Sequence, residues 1–290
     1  MIRKVLVTGA NGQVGKELRK LAASRPDLEF LFLSREDLPI HHFELVRNVF
    51  RSFQPDACIN CAAYTAVDKA ETEQDLARIV NAESVGVLAA VCREQGTRFI
   101  HISTDYVFRG DSSIPYKESD PTDPQNVYGI TKRDGEAEAM AQNADAVIVR
   151  TSWVYSVYGK NFVKTMQKLM QERESLNVVA DQWGSPTHAR DLAEALLQIA
   201  LSDKWVPGIY HYSNEGVINW HQFAEAIRDL TGSSCVVKPI PTSAYPTPAR
   251  RPLYSVMDKQ KIVDTYGITL VPWKQSLQEC LALLHQANGG

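Results

Sequence analysis

The sequence has almost no excess charge of either sign, few cysteines and no long apolar run, and each shortage excludes a class of protein. Lys and Arg together number 31 against 34 Asp and Glu, which gives a formal charge of −3. A chain so nearly neutral has no basic field to hold nucleic acid and no polybasic patch for a membrane. The expected partner is a small molecule or another protein.

The N-terminal stretch MIRKVLVTGANG has only a brief apolar run before a glycine turn. Such a run is too short to span a membrane and lacks the plan of a signal peptide. We therefore expect a cytoplasmic location.

The cysteines and histidines are sparse and badly spaced for disulfide or metal chemistry. Five cysteines in 290 residues form no even, closely spaced set, as a disulfide framework would require. Cys58 and Cys61 form a C-x-x-C, but the run DACINCAA is typical of a buried strand, where positions three apart face opposite sides. No second cysteine pair completes a zinc site, and no histidine pair has H-E-x-x-H spacing. We expect no metal site.

The first half of the chain alternates short apolar runs with longer helical patterns. The runs RKVLVTG, EFLFLS, DACINCAA, RFIHIST and DAVIVRTS are each followed by such a pattern or by a turn. Strands that are apolar on both faces and separated by helices indicate a parallel sheet covered by helices on both sides. The predicted fold class is α/β, a doubly wound parallel sheet. The second half is less regular, and its proline-rich stretch KPIPTSAYPTPARRP predicts a loop crossing a smaller lobe.

A glycine motif follows the first strand directly. Gly9, Gly12 and Gly15 form a G-x-x-G-x-x-G that opens a helix. Glycines at this point permit a tight turn and let backbone N–H groups approach a pyrophosphate, which the helix N-terminus stabilises. The motif therefore predicts a dinucleotide site.

The end of the second strand bears on the choice of cofactor. Ser34 and Arg35 come first, and Glu36 and Asp37 follow them. An arginine here suits the 2′-phosphate of NADP, whereas an acidic residue suits the 2′-hydroxyl of NAD. We expect NADPH, and the acidic pair leaves NADH open.

Hydroxyl groups and a tyrosine-lysine pair meet at the predicted active end of the sheet. The strand RFIHI ends at Ser103-Thr104-Asp105-Tyr106, and NVYGITK places Tyr128 four residues before Lys132, on one helix face. A carbonyl that accepts hydride needs a proton donor, and Tyr128 fits that role if Lys132 lowers its pKa from about 10 toward about 7. Thr104 is expected to hydrogen-bond the carbonyl, and Asn81 to hold a water that relays protons to Lys132.

These motifs together resemble the extended short-chain dehydrogenase/reductases, and within them the dTDP-4-dehydrorhamnose reductase family. The matching segments are TGANGQVG, NCAAYTAVDKAE, VNAESVGVLA, STDYVF, YGITK, RTSWVYS, NFV, DQWGSPT and RRPLYS. The resemblance implies a Rossmann-type domain over residues 1–155, rejoined by a helix around 187–202, and a smaller α+β lobe for a sugar nucleotide over 156–290. It also implies NAD(P)H-dependent reduction of the 4-keto group of dTDP-4-dehydro-L-rhamnose to dTDP-L-rhamnose.

The resemblance also assigns roles residue by residue. The implied catalytic set is Thr104, Tyr128 and Lys132. The cofactor would contact Gly9, Gly12, Gln13, Val14, Gly15, Ser34, Arg35, Ala62, Ala63, Tyr64, Thr65, Tyr128 and Lys132. The substrate would contact Thr104, Asp105, Tyr106, Trp153 and Arg251.

The chain departs from the family pattern at two places. Leu38-Pro39-Ile40-His41 stands where members often have an Asp beside the adenine. Members that bind Mg²⁺ at a dimer interface use glutamates, of which Glu17 matches one, whereas Arg190 replaces another. A cation in place of a carboxylate ligand disfavours that metal. We expect no interface Mg²⁺ and leave a homodimer open.

Two alternative functions remain open at this stage. One is a reductase of another nucleotide-linked 4-keto-6-deoxysugar, because sequence does not reveal the pocket shape that distinguishes sugar epimers. The other is a non-catalytic NADP-binding regulatory subunit, like the methionine adenosyltransferase β subunit, which resembles the same reductases.

Overall fold

The computed structural model describes residues 2–288, within which the chain forms twelve strands. In chain order they are β1 (Lys4–Thr8), β2 (Glu29–Leu33), β3 (Ala57–Asn60), β4 (Arg98–Thr104), β5 (Val147–Thr151), β6 (Val154–Tyr155), β7 (Ser175–Val179), β8 (Trp183–Gly184), β9 (Thr187–His188), β10 (Gly208–His211), β11 (Ile218–Asn219) and β12 (Val236–Ile240).

The same range contains eleven α-helices. They are α1 (Gln13–Ala22), α2 (Phe43–Phe53), α3 (Val67–Ala70), α4 (Gln74–Arg78), α5 (Ser84–Glu94), α6 (Val127–Gln142), α7 (Phe162–Glu172), α8 (Ala189–Leu201), α9 (Trp220–Thr231), α10 (Gln260–Tyr266) and α11 (Trp273–Asn288). A π-helical turn over Ile79–Glu83 joins α4 to α5. None of these helices is both long enough and apolar enough to cross a membrane.

Six parallel strands form the central sheet in the order β10-β5-β4-β3-β1-β2. The predicted doubly wound parallel sheet is confirmed. Strand β1 has β2 on one side and β3 on the other, so the connections reverse direction at this point. Ligands of open α/β sheets bind beyond the carboxyl ends of the strands at such a reversal. The topology therefore places a binding crevice beside the glycine turn.

The strands are apolar on both faces because helices cover both faces of the sheet. Val5 and Val7 pack with α1 and α8, whereas Leu6 packs with α2, α5 and the inner side of α6. Alternation along a strand sends neighbouring side chains to opposite faces, and helices cover both. Cys58 joins the cluster of Leu6 and Cys61 contacts the cluster of Val5, so the C-x-x-C points to two different faces, as predicted.

The second half of the chain contributes to two cores. Helices α7, α9 and α11 pack around the parallel pair β7–β12 in a separate cluster. Helices α8 and α10 instead pack on the central sheet, which β10 extends by one strand. The boundary near residue 155 stays a prediction.

A buried ion pair fixes α6 against the sheet. The Arg150 guanidinium on β5 donates to Glu136 on α6 from Nε (2.8 Å) and Nη2 (2.6 Å), with both side chains buried. Ser103 Oγ on β4 donates to the same carboxylate at 2.5 Å. A bidentate pair of this kind adds geometric specificity as well as energy. It sets the height of α6, which carries Tyr128 and Lys132, over the carboxyl ends of β4 and β5.

Candidate active site

A crevice of about 890 Å³ opens at the carboxyl edge of the sheet. Its walls come from the glycine turn, the ends of β2, β3 and β4, the start of α6 and the segment after β5. Of the residues predicted from sequence, the lining includes Gly9, Gly12, Gln13, Val14, Gly15, Arg35, Ala62, Ala63, Tyr64, Thr65, Thr104, Asp105, Tyr106, Tyr128, Lys132 and Trp153. The lining does not include Ser34 or Arg251.

The glycine turn is shaped for close backbone approach. Gly9 has φ +64, and a Cβ there would lie 2.6 Å from Ala62 N. A Cβ on Gly15 would lie 2.6 Å from Gly9 O. Helix α1 begins at Gln13 with no side-chain cap and no acidic residue in its first turn. Unsatisfied N–H groups at a helix start bind phosphate, so this turn fits a dinucleotide pyrophosphate.

The end of β2 separates two predicted cofactor residues. Ser34 is buried, and its Oγ accepts from the backbone N–H groups of Glu36 (3.2 Å) and Asp37 (3.3 Å). The Ser34 hydroxyl therefore shapes the turn and does not line the crevice. Its contact with the cofactor stays a prediction. Arg35 is exposed, lines the crevice and makes no ion pair within residues 2–288. Glu36 lies beside it and accepts weakly from Asn11 at 3.5 Å.

Asn81 holds the loop after β3. Its Oδ1 accepts from Tyr64 N (2.8 Å), and its Nδ2 donates to Tyr64 O (3.0 Å) and Thr131 Oγ1 (3.1 Å). These contacts use both N–H groups of the amide, so the side chain is a brace for the loop. The water expected at Asn81 stays a prediction. The brace keeps Ala62 to Thr65 at the crevice wall.

Gly129, next to Tyr128, allows α6 to reach the end of β4. A Cβ on Gly129 would lie 2.3 Å from Tyr106 O, closer than any real contact. The helix begins under an Asn126 cap that accepts from Gly129 N at 2.8 Å. This close approach brings Tyr128 to the same crevice wall as Thr104, and the Thr104 hydroxyl acts to lower the pKa of the Tyr128 phenol. The Tyr128 ring also meets Tyr106 edge-on, with centroids 5.7 Å apart.

The predicted pKa shift of Tyr128 has the wrong direction. Burial raises the pKa of Tyr128 to about 12, and the Asp105 charge adds to the rise. The neighbouring Thr104 hydroxyl acts to lower the pKa, but by less than burial raises it. Desolvation disfavours the phenolate, and this term outweighs the polar contacts. The phenol therefore stays protonated at neutral pH, which is the form that a proton donor in carbonyl reduction needs.

Lys132 lies at the end of a buried polar chain that the sequence did not reveal. Its Nζ donates to Ile102 O at 2.6 Å and lies 3.1 Å from His101 Nε2. His101 Nδ1 lies 2.9 Å from Asn60 Nδ2, and Thr8 Oγ1 donates to Asn60 Oδ1 at 2.6 Å. Burial lowers the pKa of Lys132 to about 8, although the Glu136 charge opposes this. The only sequence signal was a histidine inside the apolar strand RFIHI.

Asp105 and Tyr106 follow Thr104 at the crevice wall. Asp105 is buried, with Oδ1 accepting from Thr104 Oγ1 at 3.0 Å and Oδ2 without a hydrogen-bond partner among the described residues. Burial raises the pKa of Asp105 to about 6. Burial also raises the pKa of Tyr106, and the Asp105 charge adds to it. The unpartnered oxygen is itself buried, which is in line with the desolvation that raises the pKa.

Arg251, predicted to contact the substrate, is paired elsewhere. Its Nη1 and Nη2 donate to the two carboxylate oxygens of Asp68 at 2.5 and 2.8 Å, and Nη1 also donates to Ala249 O at 2.7 Å. Asp68 lies on α3, 183 positions away in the chain. The fixed fork of a guanidinium suits such a bidentate pair. The structure thus holds Arg251 beside the crevice and not in its wall.

Several lining residues were not assigned a role from the sequence. They include Leu38, Pro39, Ile40, His41, Leu76 and Val80. These residues come from the segment after β2, from α4 and from the π-helical turn after it, so only the folded chain brings them together. The departure noted at Leu38 to His41 therefore falls in the crevice wall.

Arg190, where the resemblance places a metal ligand, pairs with two carboxylates. Its Nε lies 3.0 Å from Glu194 Oε1 and its Nη1 lies 3.5 Å from Glu279 Oε2. Within residues 2–288, no group of three His, Cys, Asp or Glu side chains is arranged to hold a metal ion. The lack of an interface Mg²⁺ stays a prediction.

The sheet, the glycine turn and the Tyr128-Lys132 pair beside Thr104 define an NAD(P)H-dependent oxidoreductase of the extended short-chain dehydrogenase/reductase class. The family described as RmlD substrate binding domain matches residues 3–286. The dTDP-4-dehydrorhamnose reductase of Burkholderia thailandensis is 42% identical over 96% of this chain and 98% of its own length.

Two solved structures agree with this relationship. A dTDP-4-dehydrorhamnose reductase from Clostridium acetobutylicum is 41% identical, with TM-score 0.94 over 97% of this chain and 99% of that one. The enzyme of the same name from Bacillus anthracis, in complex with NADP, is 37% identical, with TM-score 0.93 over 98% of this chain and 100% of that one. The chain belongs to the RmlD substrate binding domain family, the family of the dTDP-4-dehydrorhamnose reductases.

The buried Lys132 predicts a specific pH dependence of stability. The folded state loses the Lys132 proton near pH 8, whereas the unfolded chain keeps it until about pH 10.4. Between these values the unfolded state binds more protons, so this group makes the folded state relatively more stable as pH rises. The free energy of unfolding of wild type should therefore rise relative to that of Lys132→Met, by up to about 1.4 kcal/mol per pH unit.

Urea unfolding at pH 7.5 and pH 9.5 measures this difference. Lys168→Met is the matched control, because the Lys168 side chain is 74% exposed and should give the same difference at both pH values. If the difference in free energy of unfolding between wild type and Lys132→Met is also the same at both pH values, the burial argument is contradicted.

Proposed function

We propose that the protein reduces the 4-keto group of dTDP-4-dehydro-L-rhamnose to give dTDP-L-rhamnose, the last step of dTDP-rhamnose biosynthesis, with NADPH as reductant. The observation that carries this proposal is a complete Thr104, Tyr128 and Lys132 set at one wall of the crevice. The set occurs in a chain that is 42% identical to a reductase of this name over nearly its whole length.

The residues at the glycine turn fit a bound dinucleotide. At Gly9 and Gly15 the lack of a Cβ lets neighbouring backbone pack closely around the turn, and the uncapped start of α1 offers N–H groups to a pyrophosphate. Arg35, without an ion pair of its own among the described residues, is suited to a 2′-phosphate, and Glu36 beside it to a 2′-hydroxyl. NADPH is the expected cofactor and NADH a usable one, in agreement with the NADP-bound relative from Bacillus anthracis.

The chemistry divides between the cofactor and three side chains. When bound, the nicotinamide supplies the hydride. The Thr104 hydroxyl, which donates to Asp105 Oδ1, would turn to hold the substrate oxygen beside the Tyr128 phenol in the same crevice wall. Tyr128 donates its proton to that oxygen as negative charge develops there. Lys132, held by Ile102 O and His101, supplies a positive charge next to the phenolate that remains.

The remaining crevice residues are proposed as the sugar-nucleotide contacts. Asp105, Tyr106 and Trp153 lie in the wall. Arg251 would have to exchange Asp68 for a diphosphate, whose geometry its fork also fits. We place this substrate site mainly in the lobe formed by residues 156–290, with residues 1–155 forming the dinucleotide domain.

Replacing Tyr128 by Phe tests the assigned proton donor. General acid catalysis contributes about 10²- to 10⁴-fold, so kcat for NADPH oxidation with dTDP-4-dehydro-L-rhamnose should fall by that factor. The Kd for NADPH, measured by fluorescence, should stay within about 2-fold, since binding relies on contacts that Phe leaves intact. Tyr158→Phe, which removes a hydroxyl outside the crevice wall, is the control.

Two results would contradict the proposal in different ways. If wild type oxidises no NADPH with this substrate but does so with another nucleotide-linked 4-keto-6-deoxysugar, the substrate is wrong. If Tyr128→Phe keeps most of the turnover, the proton donor is wrong. A wild type inactive with every such sugar would favour a regulatory, non-catalytic role.

Replacing Arg35 by Ala tests the 2′-phosphate contact. A hydrogen bond to a charged group contributes about 1.5–3 kcal/mol, so the KM for NADPH should rise by roughly 10-fold or more, while the KM for NADH stays nearly constant. Glu36→Gln removes the neighbouring negative charge and should shift preference toward NADPH. Equal losses for both cofactors in Arg35→Ala would show that Arg35 does not recognise the phosphate.

A further inference from the structure

Trp153 has a backbone conformation that a bulky residue rarely adopts. Its φ is +48, and the only other non-glycine residue with positive φ in the described chain is Gln54. The left-handed region is unfavourable for an L-residue with a side chain, because its Cβ then lies too close to the following carbonyl oxygen. Such a conformation persists where the surroundings fix it. The surroundings of Trp153 therefore show what the conformation achieves.

The indole of Trp153 is covered on one face by Trp220. The two rings are stacked, with centroids 3.6 Å apart and planes at 11°. Phe162 contacts Trp220 in turn, with centroids 4.7 Å apart and planes at 48°. Trp153 lines the crevice, whereas Trp220 and Phe162 do not. Three rings thus run from the apolar cluster around α7 and α9 to the crevice, and Trp153 is the last of them.

Two short paired strands, β8 and β11, hold the residues that pack against the Trp153 indole. A Cβ on Gly184 would lie 2.6 to 2.9 Å from Cε2, Cζ2 and Nε1 of the Trp153 indole, so Gly184 provides the space for the ring. Gly184 on β8 pairs with Ile218 on β11, two residues before Trp220. Trp220 itself begins α9 under a capping box formed by Asn219 and Gln222. Both neighbours of the indole are therefore held by hydrogen-bonded backbone.

We propose that Trp220 is a positioning residue for sugar recognition: it fixes the Trp153 indole, so that the part of the indole that lines the crevice receives the apolar surface of the deoxysugar ring. This inference rests on the proposed function for the identity of the ligand. A ring already held in place loses no rotamer freedom when the sugar binds, so preorganisation contributes affinity. We assign the stacked indoles no contact with the nucleotide part of the substrate or with the dinucleotide cofactor, so the affinities for dTDP and NADPH should not depend on the stack.

The test separates the stack from the rest of the site. Kd values for dTDP-L-rhamnose, dTDP and NADPH are measured for wild type, Trp220→Ala, Trp220→Phe and the control Trp205→Phe, whose indole donates to Asp145 O at 2.9 Å far from the crevice wall. Circular dichroism records the exciton couplet of two stacked indoles. Wild type and Trp205→Phe should show the couplet, and both Trp220 variants should lack it.

Trp220→Ala should bind dTDP-L-rhamnose about five- to tenfold more weakly, the size of a lost aromatic contact, with Kd for dTDP and NADPH within about 2-fold. Trp220→Phe keeps a ring, so its Kd for dTDP-L-rhamnose should rise by about half as much as that of Trp220→Ala on a logarithmic scale. A merely structural role would weaken all three ligands together, which would overturn the proposal.

Two other outcomes also overturn the proposal and are distinguishable from each other. If wild type binds dTDP-L-rhamnose more tightly than dTDP and Trp220→Ala keeps that difference, Trp220 has no part in sugar recognition and the proposed function stands. If wild type shows the couplet but does not distinguish dTDP-L-rhamnose from dTDP, the proposed function fails and this inference falls with it. If Trp220→Ala does not fold, Trp220→Phe carries the same comparison.

Discussion

The active site depends on the direct contact between the start of α6 and the loop after β4. Gly129 is the residue that permits this contact, because a Cβ there would lie 2.3 Å from Tyr106 O. Only at this separation does Tyr128 lie in the crevice wall beside Thr104. The Glu136–Arg150 pair and Ser103 fix the same helix two turns further along. This one interface therefore fixes the positions of the sheet, helix α6 and the catalytic side chains relative to one another.

Burial at this interface decides the charges of the catalytic groups. Desolvation raises the pKa of Tyr128 and lowers that of Lys132, because each charged form loses hydration. The phenol is thus kept protonated, ready to give its proton to a developing alkoxide. Thr8, Asn60 and His101 satisfy the polar atoms that this burial would otherwise leave without partners. The buried catalytic groups thus lie in a hydrogen-bonded setting, with the phenol in the protonated form that reduction needs.

Local sequence patterns predicted the features that depend on neighbouring residues. The alternating strands gave the parallel sheet, because each strand needs only its own side chains to show two buried faces. The glycines Gly9 to Gly15 and the Tyr128-Lys132 spacing likewise act within one turn of chain. Their placement in one crevice followed from the rule that ligands bind at the carboxyl edge of such sheets.

Features that join distant residues could not be predicted in this way. Arg251 is paired with Asp68 across 183 positions, and Trp153 meets Trp220 across two short strands. The pKa of Tyr128 had the wrong expected direction because sequence shows the nearby lysine but not the degree of burial. Each of these outcomes is decided by tertiary contacts.

The central claim is that the close approach at Gly129 places Tyr128 for catalysis, and Gly129→Ala tests it most directly. Steady-state kinetics should show kcat reduced by about 10²-fold or more, as expected when a catalytic group is displaced by about 1 Å, while the Kd for NADPH stays unchanged. Gly86→Ala is the control, since a Cβ there meets the Glu138 side chain at 3.2 Å and Gln142 Cγ at 3.8 Å and no backbone atom within 3.2 Å, and it should keep its turnover. A Gly129→Ala enzyme that folds and retains wild-type kcat would contradict the account.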